Sequence, residues 1–381
     1  MIHGFSRDRG RDRLLVAVFA VLCVCLYFVP TGHEGAIEDR AVRGKALVLS
    51  VDNDEMRNVG LSSYGHQELV VEMVDTRFAG ERFDATNHMM GRKDIDKIFS
   101  KGDHAYVVLS VLEDDTVKFV NAQDFYRIDM ELFLLGLFAA ALLIFGGWTG
   151  AKALLSFAFA GFMLWKILFP GILAGYDPVL LAFGTVSALT LAIIFLVAGI
   201  NRRGVTAFIG AMLGIGLSCG LALYYTDAFN LNGAFMPFAE TLLHSGYSHL
   251  NLPRIFVAAV FLAASGAVMD LAIDVSASMQ EVVSHKPEIT RLQAMGSGFN
   301  VGRAVVGTMT TTLLLAYSGG YLTMLMAFMA QGVPLIGMFN LSWVASEVLK
   351  TLVGSLGLVM VAPFTAVVGA FVFTGKGAKA D

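Results

Sequence analysis

"RIFVAAVFLAASGAVMDLAIDVSASMQE", residues 254–281, decides the fold class of this chain. From Ile255 to Met269 it holds no ionisable side chain and no proline. A helix needs about 20 mostly apolar residues to cross a hydrocarbon core of about 30 Å. This run supplies them, and it carries Asp270 and Asp274 near one end. Comparable apolar spans fall at 130–148, 151–173, 178–200, 204–225, 254–277, 304–326 and 341–373, and a shorter one at 14–30 follows a basic tip. The expectation is an all-α polytopic membrane bundle of about eight transmembrane helices. A small β-rich extracytoplasmic domain follows the first of them.

Composition agrees. The 381 residues are 56% hydrophobic and only 15% charged, with a mean hydropathy of +0.67; soluble domains run near 25% charged. A net charge of −4 argues against a nucleic-acid partner. Cys23, Cys25 and Cys219 all sit in apolar runs and offer no disulfide framework or zinc-ribbon spacing.

Three regions follow along the chain. Residues 1–30 form a basic tip and an N-terminal anchor, in which Arg7, Arg9, Arg11 and Arg13 precede Leu14–Pro30. An uncleaved signal anchor fits better than a cleaved signal peptide, because no small-x-small pattern follows "LYFVP". Residues 31–127 hold most of the charge. There "KALVLSVDND", "QELVVEMVDT" and "HAYVVLSVLEDD" read as strands of a small barrel or sandwich, and "MGRKDIDKIFSKGDH" as a short helix and turn. Residues 128–381 form a seven-helix transmembrane domain. Lys152, Arg202, Arg203, Lys286, Arg291, Lys376 and Lys379 fall on one side of it, and Asp177, Asp227 and Glu240 on the other, with only Arg254 against the trend. The positive-inside rule then puts both termini in the cytoplasm. The last 80 or so residues fit least well, since 303–333 and 341–373 are too long for single straight spans. A re-entrant or interfacial piece around 327–345 would absorb the excess. Lys166 is expected to snorkel to the outer headgroups.

Asp270 and Asp274, four apart, share a helix face, and Glu281 lies within about 20° of Asp270 around the axis. An ionised aspartate at that depth needs a partner, water or a cavity. The span at 304–326 is preceded by Asn300 and Arg303 and carries Thr308, Thr310, Thr311 and Thr312. Antiparallel neighbours would bring Arg303 level with Asp274 and Thr308 level with Asp270. Two readings stay open: a structural cluster that locks the spans at 254–277 and 304–326 together, or a proton or cation relay. A secondary polar pair, Glu347 and Lys350, is spaced to meet along one helix edge. Glu240, His244 and His249 form a weak metal candidate, because a single helix cannot converge all three. Gly210, Gly214, Gly216 and Gly220 suit close helix packing. No Walker loop, dinucleotide fingerprint, HExxH or nucleophile elbow is present, so neither an enzyme nor a cofactor is indicated.

The blocks "GAVMDLAIDVSASMQEV", "SGFNVGRAVVGTMTTTLLLAYSGG", "SEVLKTLVGSLGLVMVAPFTA" and "NHMMGRKDIDKIFSKGDHAYV" resemble the YibE/F-like multi-pass membrane proteins of bacteria. The resemblance implies an integral membrane protein with a small extracytoplasmic domain after its first helix, and it brings no established activity. Where relatives often show "GRDIMGT", this chain has "GRAVVGT" and so lacks an acid after Arg303. The layout is also similar to that of SecD/SecF and related RND proteins, a likeness of architecture alone.

Two functions of different class follow. One is an inner-membrane transporter whose aspartates couple proton or cation movement to an unknown small solute. The other is a non-enzymatic envelope scaffold whose region 31–127 binds a protein partner while its intramembrane acids serve structure. The lipid bilayer is the surroundings in both.

Overall fold

A computed structural model describes the backbone of residues 3–33, 35, 41–113 and 115–374, with side chains from residue 13 onward. The charge expectations on Arg7, Arg9, Arg11, Lys376 and Lys379 lie outside those side chains. By internal contacts the chain divides into residues 32–141 and residues 1–31 with 142–381.

The first unit is a β-barrel. Its strands are β1 (Ala41–Asp52), β2 (Met56–Val59), β3 (Ser62–Met73), β4 (Arg82–Met90), β5 (His104–Val111) and β6 (Val117–Phe125). They pair in the order β1-β5-β6-β4-β3-β2, and a further β1–β3 pairing closes the barrel. Alternation explains its core. On β3, Gln67, Leu69, Val71 and Met73 point inward, while His66 and Glu68 point out; on a strand, successive side chains take opposite faces. Val48, Phe99, Val107 and Leu109 complete the interior.

The segment expected to hold a short helix and turn, 90–104, is turn and loop between β4 and β5, with no helix. The Asp96 carboxylate accepts from the backbone N–H groups of Met90 (2.8 Å) and Arg92 (2.6 Å), and such local bonds compete with helix formation.

The second unit is helical. It comprises α1 (His3–Phe28), most of α2 (Ile128–Met163), a π-turn at Leu164–Leu168, α3 (Phe169–Leu173), α4 (Pro178–Ala198), α5 (Arg202–Ala228), α6 (Ala239–His244), α7 (Leu252–His285), α8 (Arg291–Gly320), α9 (Leu322–Ala330), α10 (Leu335–Asn340) and α11 (Ser342–Phe373). Among the described residues, five helical runs are long and apolar enough to cross a membrane, or six if the α8–α9 pair, bent by 64°, is one span. The number reached by length and composition is therefore smaller than the expected eight. The expected spans 130–148 and 151–173 run together as one 46-residue stretch, Ile128–Leu173. Gly147 interrupts it, with φ 51° and ψ −124°, a conformation that only glycine adopts without strain. Lys152, placed by charge on the cytoplasmic side at the start of the span 151–173, is buried within α2. The overlong run after Arg303 breaks at Tyr321, where α9 turns away from α8.

Helix starts are written into the sequence. Asp177 caps α4, accepting from Leu180 N–H at 2.9 Å, with Pro178 in its first turn. Asn201 caps α5 and Asn251 caps α7 in the same way. Thr290 and Gln293 form a reciprocal capping box on α8. The Lys166 ammonium donates to the Val29 carbonyl at 2.8 Å, just past the end of α1. A cation there satisfies a carbonyl that the helix leaves unpaired.

The centre of the bundle is α7, whose Phe256, Val260, Phe261, Val268, Leu271 and Val275 are buried. Small residues set how closely its neighbours approach. Gly210 lies against Thr365, and Gly214 against Val361 and Val268, whereas Gly216 and Gly220 face open space. Packing inside the bundle thus accounts for the first pair.

Candidate functional site

With most of α7 committed to the core, its remaining face is narrow. That face carries Ala263, Gly266, Asp270, Asp274 and Glu281, all exposed on the single chain. The aspartates therefore stand on the surface of the bundle. Ser276, two residues on, is buried and donates to the Arg203 carbonyl at 2.8 Å, which ties this part of α7 to the start of α5.

The level of the partner helix follows from two contacts. Gly298 of α8 lies against Met279 of α7, and Leu313 of α8 and Ala264 of α7 both lie against Gly354 of α11. Counting equal steps along two antiparallel helices between these contacts sets Arg303 level with Asp274 and Gly307 level with Asp270. Arg303, Asn300 and Thr308 are exposed as well. Among the described residues, the side chains of Asp270, Asp274, Asn300 and Arg303 make no hydrogen bond and no ion pair. The threonines turn their hydroxyl protons onto their own helix: Thr308 donates to Val305 O at 2.9 Å, Thr311 to Gly307 O at 3.1 Å and Thr312 to Thr308 O at 3.0 Å. Such back-bonding is the local alternative open to a helical threonine. The candidate relay residues are thus brought to common levels, and no bond locks them.

Glu347 and Lys350 do meet. The ammonium donates to Glu347 Oε1 at 2.6 Å, with both side chains about three-quarters buried. Lys350 also stands over the Phe256 ring, 5.6 Å from its centroid. This pair joins α11 to α7 inside the bundle.

Glu240, His244 and His249 do not assemble. All three are exposed, and His249 Nε2 lies 3.1 Å from the Leu173 carbonyl. Among the described residues, one carboxylate–imidazole group comes within ligating reach of itself, and it lies elsewhere: Glu55, His66 and Glu68. Sequence reasoning passed over it, although His66 and Glu68, two apart on a strand, share a face.

A second feature escaped the sequence reading. Arg254, the basic residue against the charge trend, pairs with Asp177 at 2.7 Å. The guanidinium beside Asp177 holds its carboxyl below the usual carboxylate range. Next to this pair, a cleft of about 490 Å³ is lined by Thr226, Asp227, Asn230, Asn232, Asn251 and Arg254, among others. The Thr226 hydroxyl is buried there without a partner.

Long apolar helices gathered around α7, with carboxylates on one face of that spanning-length helix, define a polytopic helical membrane protein. The chain belongs to the YibE/F-like protein family, which matches residues 134–375, from within α2 to just past α11. No curated protein and no solved structure matches it.

Proposed function

We propose that this chain is a multi-pass protein of the bacterial inner membrane that couples proton or cation movement to the transfer of a small solute. Asp270 and Asp274 are the coupling groups. One observation carries the reading: two carboxylates share one exposed face of a spanning-length helix, level with an exposed arginine, and none of the three is locked in a bond. A charge held in the membrane without a partner is expensive. Such a group takes up and releases a proton or cation as its surroundings change, and Arg303 is the counter-charge that can approach or withdraw. Asn300 and Thr308 offer further polar atoms at that level. The cleft beside Arg254, about 24 Å along α7 from Asp270, is the polar entrance for the solute. Lysine and arginine placement supports cytoplasmic termini and an exported barrel. Counting Ile128–Leu173 as two crossings divided at Gly147, α8–α9 as one and α1 as one brings the number to about eight.

The test is a current measurement on proteoliposomes adsorbed to a solid-supported membrane. A pH or Na⁺ jump should move charge in the wild-type protein and not in Asp270→Asn/Asp274→Asn. An undiminished signal in the double variant would overturn the assignment.

A further inference from the structure

We propose that the outer face of the barrel holds a binding site for a divalent transition metal of the zinc class, formed by Glu55, His66 and Glu68 with His88 beside them. The ligand atoms of the first three all lie within 4.8 Å of one another. His66 Nε2 is 3.0 Å from Glu55 Oε2 and 3.9 Å from Glu68 Oε1. Around a tetrahedral zinc with bonds of about 2.1 Å, neighbouring ligand atoms are about 3.4 Å apart. The two observed separations bracket that value, so small side-chain rotations complete the geometry. His88 is the direct cross-strand partner of His66, with ring centroids 6.1 Å apart, so a side-chain rotation would be needed to bring it in as a fourth ligand.

The surroundings hold this arrangement in place. Gly65, at φ 99°, lets the backbone of Glu55 lie against β3; a Cβ there would collide with the Glu55 carbonyl. Behind the site, buried Gln67 donates to Asn53 Oδ1 at 2.6 Å and accepts from Asn87 Nδ2 at 2.9 Å. Gln67 lies between His66 and Glu68, and Asn87 precedes His88, so one buried amide pair fixes the backbone beneath the ligands. Asp52, paired across strands with Glu68, adds negative charge. Imidazole with carboxylate favours zinc, copper or nickel over calcium or magnesium.

The experiment is Zn²⁺ titration of the full-length protein in detergent by calorimetry, with excess Ca²⁺ present. One Zn²⁺ per chain should bind, and His66→Gln should abolish it. His88→Gln and Glu68→Gln should each weaken it by at least about tenfold. Circular dichroism of each variant separates lost binding from lost folding, and Glu55→Gln, at an exposed turn, provides a second variant should His66→Gln fail to fold. Absence of stoichiometric binding, or binding unchanged in the folded His66 and Glu55 variants, would overturn the site.

Discussion

Asp274 on α7 and Arg303 on α8 stand level on antiparallel helices, both exposed, and no ion pair joins them. Opposite charges so placed ordinarily invite a structural reading, in which they clamp two helices together. Their separation makes the two readings distinguishable. Asp274→Asn and Arg303→Gln should each leave thermal stability in detergent nearly unchanged, because no bond is lost. A fall of many degrees in either variant would restore the clamp.

Glu347 and Lys350 should behave in the opposite way. Removing one partner leaves a mostly buried charge uncompensated, which costs on the order of 1–3 kcal/mol. Glu347→Gln should therefore lower the unfolding midpoint, and Glu347→Gln/Lys350→Met should recover part of the loss, as double-mutant cycles of contacting residues do. Strict additivity in that cycle would show the contact to be energetically idle.

Asp177 plays two parts, and two substitutions separate them. Asp177→Asn keeps the cap on α4 and removes the charge facing Arg254; Asp177→Ala removes both, with the cap alone worth about 1 kcal/mol. The alanine variant should be the less stable of the two. The carboxyl is held below its usual range in the folded chain, so the charged pair contributes fully above the unfolded aspartate pKa of about 3.9 and is lost as pH falls through the folded value. The wild-type advantage over Asp177→Asn should accordingly be flat near neutrality and vanish in acid, as unfolding midpoints across pH will show.

Gly210 and Gly216 lie on the same helix and should respond differently to bulk. A Cβ at Gly210 meets Thr365 of α11, whereas nothing lies within 4 Å of one at Gly216. Gly210→Leu overpacks a tight crossing, a change that costs about 1–3 kcal/mol or more. Gly216→Ala should be neutral or stabilising, since alanine favours helix over glycine by about 1 kcal/mol. Thermal melts of the two variants decide the point, and equal effects would contradict the packing described.

Much of this architecture is legible in the sequence because hydrocarbon imposes a simple rule on α4, α5, α7 and α11, about 20 apolar residues each, and the first three also carry a capping side chain at the start. Closed β pairing is harder to read. The strands β4 and β6, in "RFDATNHMM" and "VKFVNAQDF", carry polar side chains on their outer face and lack the apolar runs that mark β1, β3 and β5. For the aspartates, spacing gives the shared face and the level of Arg303. It cannot tell which third of α7 remains uncovered, since that depends on where α5 and α11 pack. The ion pair of Asp177 with Arg254 was hidden for the same reason: its members lie 77 positions apart and meet only when α4 and α7 do.

Barrel closure has a consequence for recognition. Because β1 pairs with both β5 and β3, each of the five longer strands has at least two neighbours around the ring, and among the described strands β2 alone ends the order with one. The thinnest seam is the parallel β4–β6 pairing, registered at Ala85 with Val120 and Thr86 with Asn121. A ligand that binds by adding its own strand to a sheet needs an unpaired edge, and among the described strands the edges on offer are short: the four residues Met56–Val59 and the parts of β4 and β6 outside their two-residue seam. A protein that docks on this domain therefore has only short edges to extend and must read side chains over the rest of its surface.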